Sequence, residues 1–277
     1  MADPVPPRLS NPLAECLRKG ELGLVLQVKQ VKTPNIAIVA KTCGYDAIYL
    51  DMQHTPISIE LAADMSVAAY ANGVCPLVRI AGHNFADGLR MLDSGAMGIV
   101  IPEVDDAQQA RAAVEYLRFA PLGKRSVAGT WPQFGYQAVP AKDAARMLNE
   151  QTLLIAMIES RAALANVDEI AAVEGIDVLH MGSNDMASDL GMPGDLGNPA
   201  VVDAFKTIAA ACRRHNKVVG LGGMSGNPEL VRTFVNLGAQ FLTGANEWSL
   251  LIAAARDRAQ LLRGLQGSEN ARIHSKG

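Results

Sequence analysis

A chain of 277 residues, 49% hydrophobic and 19% charged, holds enough apolar material for a large globular core, as one domain or two. A net charge of −3 gives no basic footprint for nucleic acid or an anionic membrane surface, and no apolar run reaches the roughly 20 residues that span a bilayer. Cys16, Cys43, Cys75 and Cys212 form no CxxC pair, which argues against structural zinc and for reduced thiols in a cytoplasmic protein.

Residues 1–12, MADPVPPRLSNP, are proline-rich without an apolar centre, so they read as a flexible arm rather than a secretory signal. From there short β-rich runs alternate with amphipathic helices. The runs are GLVLQV (23–28), AIYLD (47–51), CPLVRI (75–80), GIVIPEV (98–104), LLIAMIES (153–160), VLHMGSND (178–185), KVVGLGG (217–223) and FLTGANE (241–247). Most are continuously apolar, as strands covered on both faces are. Between them, Ile57, Leu61, Met65 and Ala68 share a helical face, with Pro56 placed in its first turn. Phe85, Leu89 and Leu92 form a second face closed by Gly95. Ala107, Ala110, Val114 and Leu117 form a third, behind a cap at Asp105 or Asp106. Asn198-Pro199 and Asn227-Pro228 each read as a cap followed by a first-turn proline. A last helix over 248–265 carries Leu250, Leu251, Ala254, Leu261 and Leu265.

Eight successive βα units imply parallel strands and right-handed crossovers, which close into a (β/α)8 TIM barrel. An open doubly wound sheet would want a GxGxxG turn after the first strand, and none is present. The domain is expected over 13–265, with a tail over 266–277. The longest gap, between the fourth and fifth runs, contains GTWPQFGY (129–136), expected to shape either the substrate pocket or a subunit contact.

A barrel's active site lies at the C-terminal ends of its strands. Those ends offer Asp51 and His54, Arg79, Glu159, and Ser183, Asn184 and Asp185. Glu159 and Asp185 come from adjacent strands and suit a hard divalent cation, Mg²⁺ or Mn²⁺. Arg79 can hold a carboxylate or oxyanion. His54 can move a proton near neutral pH, with Asp51 placed to fix its tautomer. Together they fit stabilisation of an enolate. Plainer readings exist for single members: Asp185 as a helix cap, Glu159 paired with Arg161, His180 as a core or rim residue.

The stretches YDAIYLDMQHTPIS, LVRIAGHNFADGLRMLDSGAMGIVIPEV, LLIAMIESRAALANVDEIAAVEGIDVLHMGSNDMASDLG and LGAQFLTGANEWSLL, taken in order, resemble the HpcH/HpaI aldolase family across about residues 13–265. The resemblance implies a lyase: a class II, metal-dependent aldolase that cleaves 4-hydroxy-2-oxo acids reversibly to pyruvate and an aldehyde through an enolate. It places the metal (Mg²⁺ or Mn²⁺, with Co²⁺ a further option) on Glu159 and Asp185. It gives pyruvate binding to Arg79 and proton transfer to His54 with Asp51. Gly182, Ser183 and Asn184 become a backbone cradle for the pyruvate carboxylate. Asp93 becomes an acid reaching an active site formed with a neighbouring subunit. It further implies a homohexamer, a dimer of trimers, with the last helix exchanged between subunits.

Three positions depart from the family pattern: Gln53 for glutamate, Met157 for glutamine and Ser183 for proline. They leave room for oxaloacetate decarboxylation with enolate capture on the same site, or for a keto-acid-binding protein without turnover. Lys29, after the first strand, is the lysine a Schiff-base aldolase would need.

Overall fold

A computed structural model describes residues 9–224 and 226–265. All eight expected runs are strands: β1 (Gly23–Val28), β2 (Ala47–Asp51), β3 (Cys75–Arg79), β4 (Gly98–Ile101), β5 (Leu153–Ile158), β6 (Val178–Gly182), β7 (Val218–Gly222) and β8 (Phe241–Asn246). They pair in parallel in chain order, and β1 closes on β8. The described helices are α1 (Pro12–Arg18), α2 (Ile36–Thr42), α3 (Ile59–Ala71), α4 (Phe85–Asp93), α5 (Ala107–Leu117), α6 (Ala141–Gln151), α7 (Arg161–Ala165), α8 (Val167–Ala171), α9 (Ser183–Asp189), α10 (Pro199–Arg214), α11 (Pro228–Asn236) and α12 (Glu247–Gly264). The chain is a (β/α)8 barrel, and no described helix is long and apolar enough to cross a membrane.

The continuous apolar runs resolve into two alternating sets, because successive strand side chains face opposite sides of the sheet. Leu26, Ile48, Leu50, Val78, Ile99 and Ile101 pack against the helices. Val25, Tyr49, Leu77, Ile155 and Met157 fill the barrel interior. The inward set, continued two residues at a time, carries the site.

Helix starts follow their polar caps. Ser58, Asn84, Asp106, Asn198, Asn227 and Asn246 each accept a backbone N–H from the first turn they precede. Asp106, not Asp105, caps α5. Pro56 lies ahead of the Ser58 cap rather than inside α3, so it ends the preceding loop. The sixth run also changes character part-way. Ser183, Asn184 and Asp185 form the first turn of α9, not the end of a strand.

Residues 9–12, read from sequence as part of a loose arm, belong to the barrel's floor. Asn11 is buried; its Nδ2 donates to the carbonyls of Met97 at 3.3 Å and Gln151 at 2.7 Å, and its Oδ1 caps α1. Leu13 and Leu17 then close the N-terminal mouth against Val25, Ala47 and Cys75. Residues 1–8 of the arm and the tail over 266–277 lie outside the described residues. The 129–136 segment joins the same floor. Trp131 and Phe134 are buried edge-to-face, and Gln133 Nε2 donates to the carbonyls of Leu92 and Ala96. It lies at the opposite end of the barrel from the strands' C-terminal ends, and none of it lines the mouth cavity among the described residues.

Candidate active site at the C-terminal mouth

Asp51 and Arg79 are register partners on β2 and β3 and both point inward. Adjacency makes them a forked ion pair: Arg79 Nε donates to Asp51 Oδ1 at 3.0 Å and Nη2 to Oδ2 at 2.6 Å. Asp51 is fully buried. Burial pushes its carboxyl pKa up, but the guanidinium outweighs this and holds it below the ordinary value. Among the described residues the third corner of Arg79, Nη1, meets only the Met157 sulfur, at 3.8 Å, which also receives the Tyr49 hydroxyl at 3.9 Å. A thioether is a weak acceptor. A stronger acceptor such as a carboxylate would displace it readily, so Nη1 is the corner of Arg79 left free of any carboxylate among the described residues.

Asp51 Oδ1 also accepts the backbone N–H groups of Gln53 and His54, both at 3.2 Å. These bonds fold the chain after β2 so that the His54 side chain stands over the mouth. Asp51 thus holds the His54 backbone; the expected bond to its ring is absent among the described residues. Gln53 turns aside and donates to Glu103 Oε1 at 3.1 Å.

Glu159 follows β5 and is nearly buried. Its Oε2 accepts the backbone N–H of Glu103 at 3.1 Å. Glu103 reaches that position with a left-handed φ of 55°. Burial first, and the nearby Asp185 carboxylate after it, push the Glu159 pKa up to about 7. Asp185 approaches from the first turn of α9. A buried carboxyl with a raised pKa beside an exposed carboxylate, Asp185, forms a donor set whose repulsion a hard dication would relieve. Among the described residues no cluster of three or more His, Cys, Asp or Glu side chains exists. A cation here would therefore take its other ligands from water and substrate oxygens.

Gly182, the last residue of β6, makes room for Glu159. A Cβ there would lie 2.8 Å from Glu159 Cγ and 2.9 Å from its Cδ, and would overlap Oε1. Gly182→Ala is expected to cost at least about tenfold in Mn²⁺ affinity, because misplacing even the supports of metal ligands costs that much. Titration calorimetry reads the affinity, and an unchanged circular dichroism spectrum separates this from misfolding.

The structure adds Gln27, Tyr49, His180 and Thr243 to the predicted set. With Lys29 they line a cavity of about 200 Å³ together with Arg79, His54, Glu159 and Asp185. His180 is buried; its imidazole lies where Cβ atoms on Gly220 and Gly222 would stand, 2.6 and 2.7 Å from its two nitrogens. Burial, then the Arg79 charge, lowers its pKa to about 3, so it is neutral. Ser183 and Asn184 also line the cavity, and the Ser183 hydroxyl is buried without a partner. Asp93 stands apart. Its carboxylate accepts from Arg125 Nη2 at 2.7 Å and Trp131 Nε1 at 3.1 Å, which ties α4 to the floor segment. A larger cleft of about 530 Å³ lies on the outer wall between α5 and α8, remote from the strand ends.

Residues 29–254 match the sequence profile described as HpcH/HpaI aldolase/citrate lyase. The chain belongs to the HpcH/HpaI aldolase family. Among similar HpcH/HpaI proteins is the 4-hydroxy-4-methyl-2-oxoglutarate aldolase tasA of Hapsidospora irregularis, 34% identical over 92% of this chain and 96% of the relative. The 4-hydroxy-4-methyl-2-oxoglutarate aldolase cghB of Chaetomium globosum is 36% identical over 87% and 90%. The crystal structure of an HpcH/HpaI aldolase from Desulfitobacterium hafniense superposes with a TM-score of 0.87 at 27% identity, covering 92% of this chain and 98% of that one. This HpcH/HpaI protein is an aldolase, a carbon–carbon lyase. Its Met157, a departure from the family pattern, has a definite place: it is the acceptor that Arg79 Nη1 and the Tyr49 hydroxyl share.

Proposed function

We propose that this aldolase cleaves 4-hydroxy-2-oxo acids reversibly to pyruvate and an aldehyde or related carbonyl compound, with Glu159 and Asp185 carrying a divalent cation. The observation that carries the reading is the buried Glu159 carboxyl, raised by burial and by the neighbouring exposed Asp185, beside an arginine whose Nη1 meets a thioether. Mg²⁺ or Mn²⁺, with Co²⁺ a further option, would supply a Lewis acid at the 2-oxo group when bound. The named substrate of both fungal relatives, 4-hydroxy-4-methyl-2-oxoglutarate, is itself a 4-hydroxy-2-oxo acid.

Arg79 Nη1 turns from Met157 to the substrate's oxo acid end, and the Asp51 pair keeps its guanidinium in plane. The first-turn N–H groups of α9, which have no partner within the helix, face the carboxylate with Ser183 and Asn184. His54 removes the 4-hydroxyl proton. The C3–C4 bond then breaks, and its electron pair passes onto C3 and the 2-oxo oxygen. Protonation at C3 completes pyruvate. Met157 and Tyr49 close the interior beneath C3 and exclude water from it.

The test is proton exchange. Pyruvate in D₂O should lose its methyl protons when the protein is supplied with Mn²⁺ or Mg²⁺, and chelation should stop the loss. Exchange that survives exhaustive chelation sinks the metal assignment. Binding of pyruvate without exchange sinks catalysis. Faster CO₂ release from oxaloacetate than cleavage of hydroxy-oxo acids would move the assignment to decarboxylation.

We also infer that the protein assembles through α12. No residue of that helix is buried, and Trp248, Leu251, Ile252, Leu261 and Leu262 are exposed. So much apolar surface on one helix fits packing on a neighbouring subunit, in line with the expected hexamer of exchanged helices.

A further inference from the structure

We propose that Lys29 selects the acceptor: its ammonium pairs with a carboxylate on the carbonyl compound that leaves in cleavage and enters in synthesis. This rests on the pyruvate-aldolase reading above and adds a recognition element to its other half.

In a closed barrel of eight strands, β1 lies across the mouth from β5. Glu159 and Asp185 hold the β5–β6 side. Lys29 follows β1 directly and lines the opposite wall of the same cavity. A substrate held by its oxo acid end on the β5–β6 side must run its C4 substituents toward β1 and β2. His54 stands there to take the 4-hydroxyl proton. Asp51 joins the two residues, bonding the His54 backbone and lying 3.8 Å from Lys29 Nζ.

Asp51 cannot satisfy that ammonium. Its oxygens already accept from Arg79 twice, from the backbone of Gln53 and His54, and from Gln27 Nε2 at 3.4 Å. Among the described residues Lys29 keeps a single long contact for its three donors, and its side chain is 33% exposed where that of Arg79 is 7%. Among the described residues lining the cavity, Arg79 and Lys29 are the lysine and arginine cations. Arg79 gives two corners to Asp51 and its third to the oxo acid end, so Lys29 is the charge left for an anionic acceptor.

The backbone under Lys29 is anchored, while its side chain is partly exposed. Glu247, at the start of α12, accepts the N–H groups of Lys29, Gln30 and Val31 on one oxygen at 2.7, 2.5 and 3.1 Å. A loop so anchored presents the lysine from a constant base, and its four-carbon stem can then reach acceptors of different length.

The test uses the full-length, Mn²⁺-supplied enzyme in the synthesis direction. Pyruvate is paired with glyoxylate, which carries a carboxylate, or with glycolaldehyde, which is similar in size and neutral. In Lys29→Met the ratio of kcat/KM for glyoxylate to that for glycolaldehyde should fall about ten- to hundredfold, the worth of one hydrogen-bonded charge pair. Lys29→Arg should restore most of it. Each ratio is taken within one variant, so the folded fraction cancels. An unmoved ratio in Lys29→Met, or no recovery in Lys29→Arg, overturns the proposal. So does a borohydride-trapped pyruvate adduct on Lys29, which would make it a nucleophile. Methyl-proton exchange of pyruvate alone keeps the two readings apart. If the wild type lacks it, the aldolase reading has failed; if it is present and the ratio does not move, only Lys29 is misassigned.

Discussion

Glutamine at position 159 should abolish carbon–carbon cleavage and, without metal, make the protein more stable at neutral pH than the wild type. The first effect follows from losing an anionic oxygen ligand. A metal ion contributes several kcal/mol to stabilising developing charge, which corresponds to at least about 10³-fold in rate. The second follows from the raised carboxyl. The Glu159 pKa rises from 4.5 to about 7 in the folded chain. Below pH 4.5 the group is protonated folded or unfolded, and its contribution is intact. Between 4.5 and 7 the unfolded chain ionises while the folded one does not, so stability drains as pH rises; above 7 the loss is complete. The full effect is on the order of 3 kcal/mol. Glu159→Gln removes it, so the melting temperatures of metal-free wild type and variant should coincide near pH 4.5 and separate by several degrees at pH 7.5. Thermal melts across that range with chelator present, beside a cleavage assay, check both halves. A variant less stable than wild type at pH 7.5 would show that Glu159 is not the strained group.

Asp51→Asn should be the most destabilising single change at the mouth. It leaves Arg79 buried without its counter-charge, and breaking one side of a buried pair costs about 3–5 kcal/mol. Asp51 has its carboxyl pKa held below 3.8. Its contribution is therefore present at all pH above that value and fades only as stronger acid protonates it. The loss in Asp51→Asn should accordingly be full at pH 7, as read by urea denaturation. Replacing both partners, Asp51→Leu with Arg79→Met, should recover much of the stability, since two apolar groups leave no buried charge behind. It should not recover pyruvate proton exchange, because the open corner of Arg79 is gone. Recovered exchange in the double variant would remove Arg79 from the chemistry.

How much of this was legible in the sequence depended on which periodicity was followed. The eight runs and their order were plain, because parallel strands buried on both faces are apolar throughout and punctuated by capped helices. Asn-Pro at 198–199 and 227–228 marked two helix starts. The same signal at 11–12 marks α1, but the prolines before it made the segment read as an arm. Asp51, Arg79, Glu159 and Asp185 were found by reading the ends of the runs. Gln27, Tyr49, His180 and Thr243 were missed because they lie inside the strands, on the inward set two residues apart. His180 showed its own signal: its register places it beside Gly220, and Gly220 and Gly222 supply the empty space a ring needs. What no pattern could show was the pairing of charges. That Asp51 would hold Arg79 and the backbone of His54, instead of the imidazole, depends on strand register and on the turn after β2.

The carboxylate of Glu247 couples two parts of the molecule that otherwise have little to do with each other. It belongs to the first turn of α12, whose remaining length lies outside the barrel's own core, and it grips the rim loop bearing Lys29. Anything that pulls that helix from its seat therefore reaches the rim. If that helix seats on a second chain, as proposed, the rim would be set only in the assembled particle, and acceptor preference should drift with protein concentration before overall turnover does.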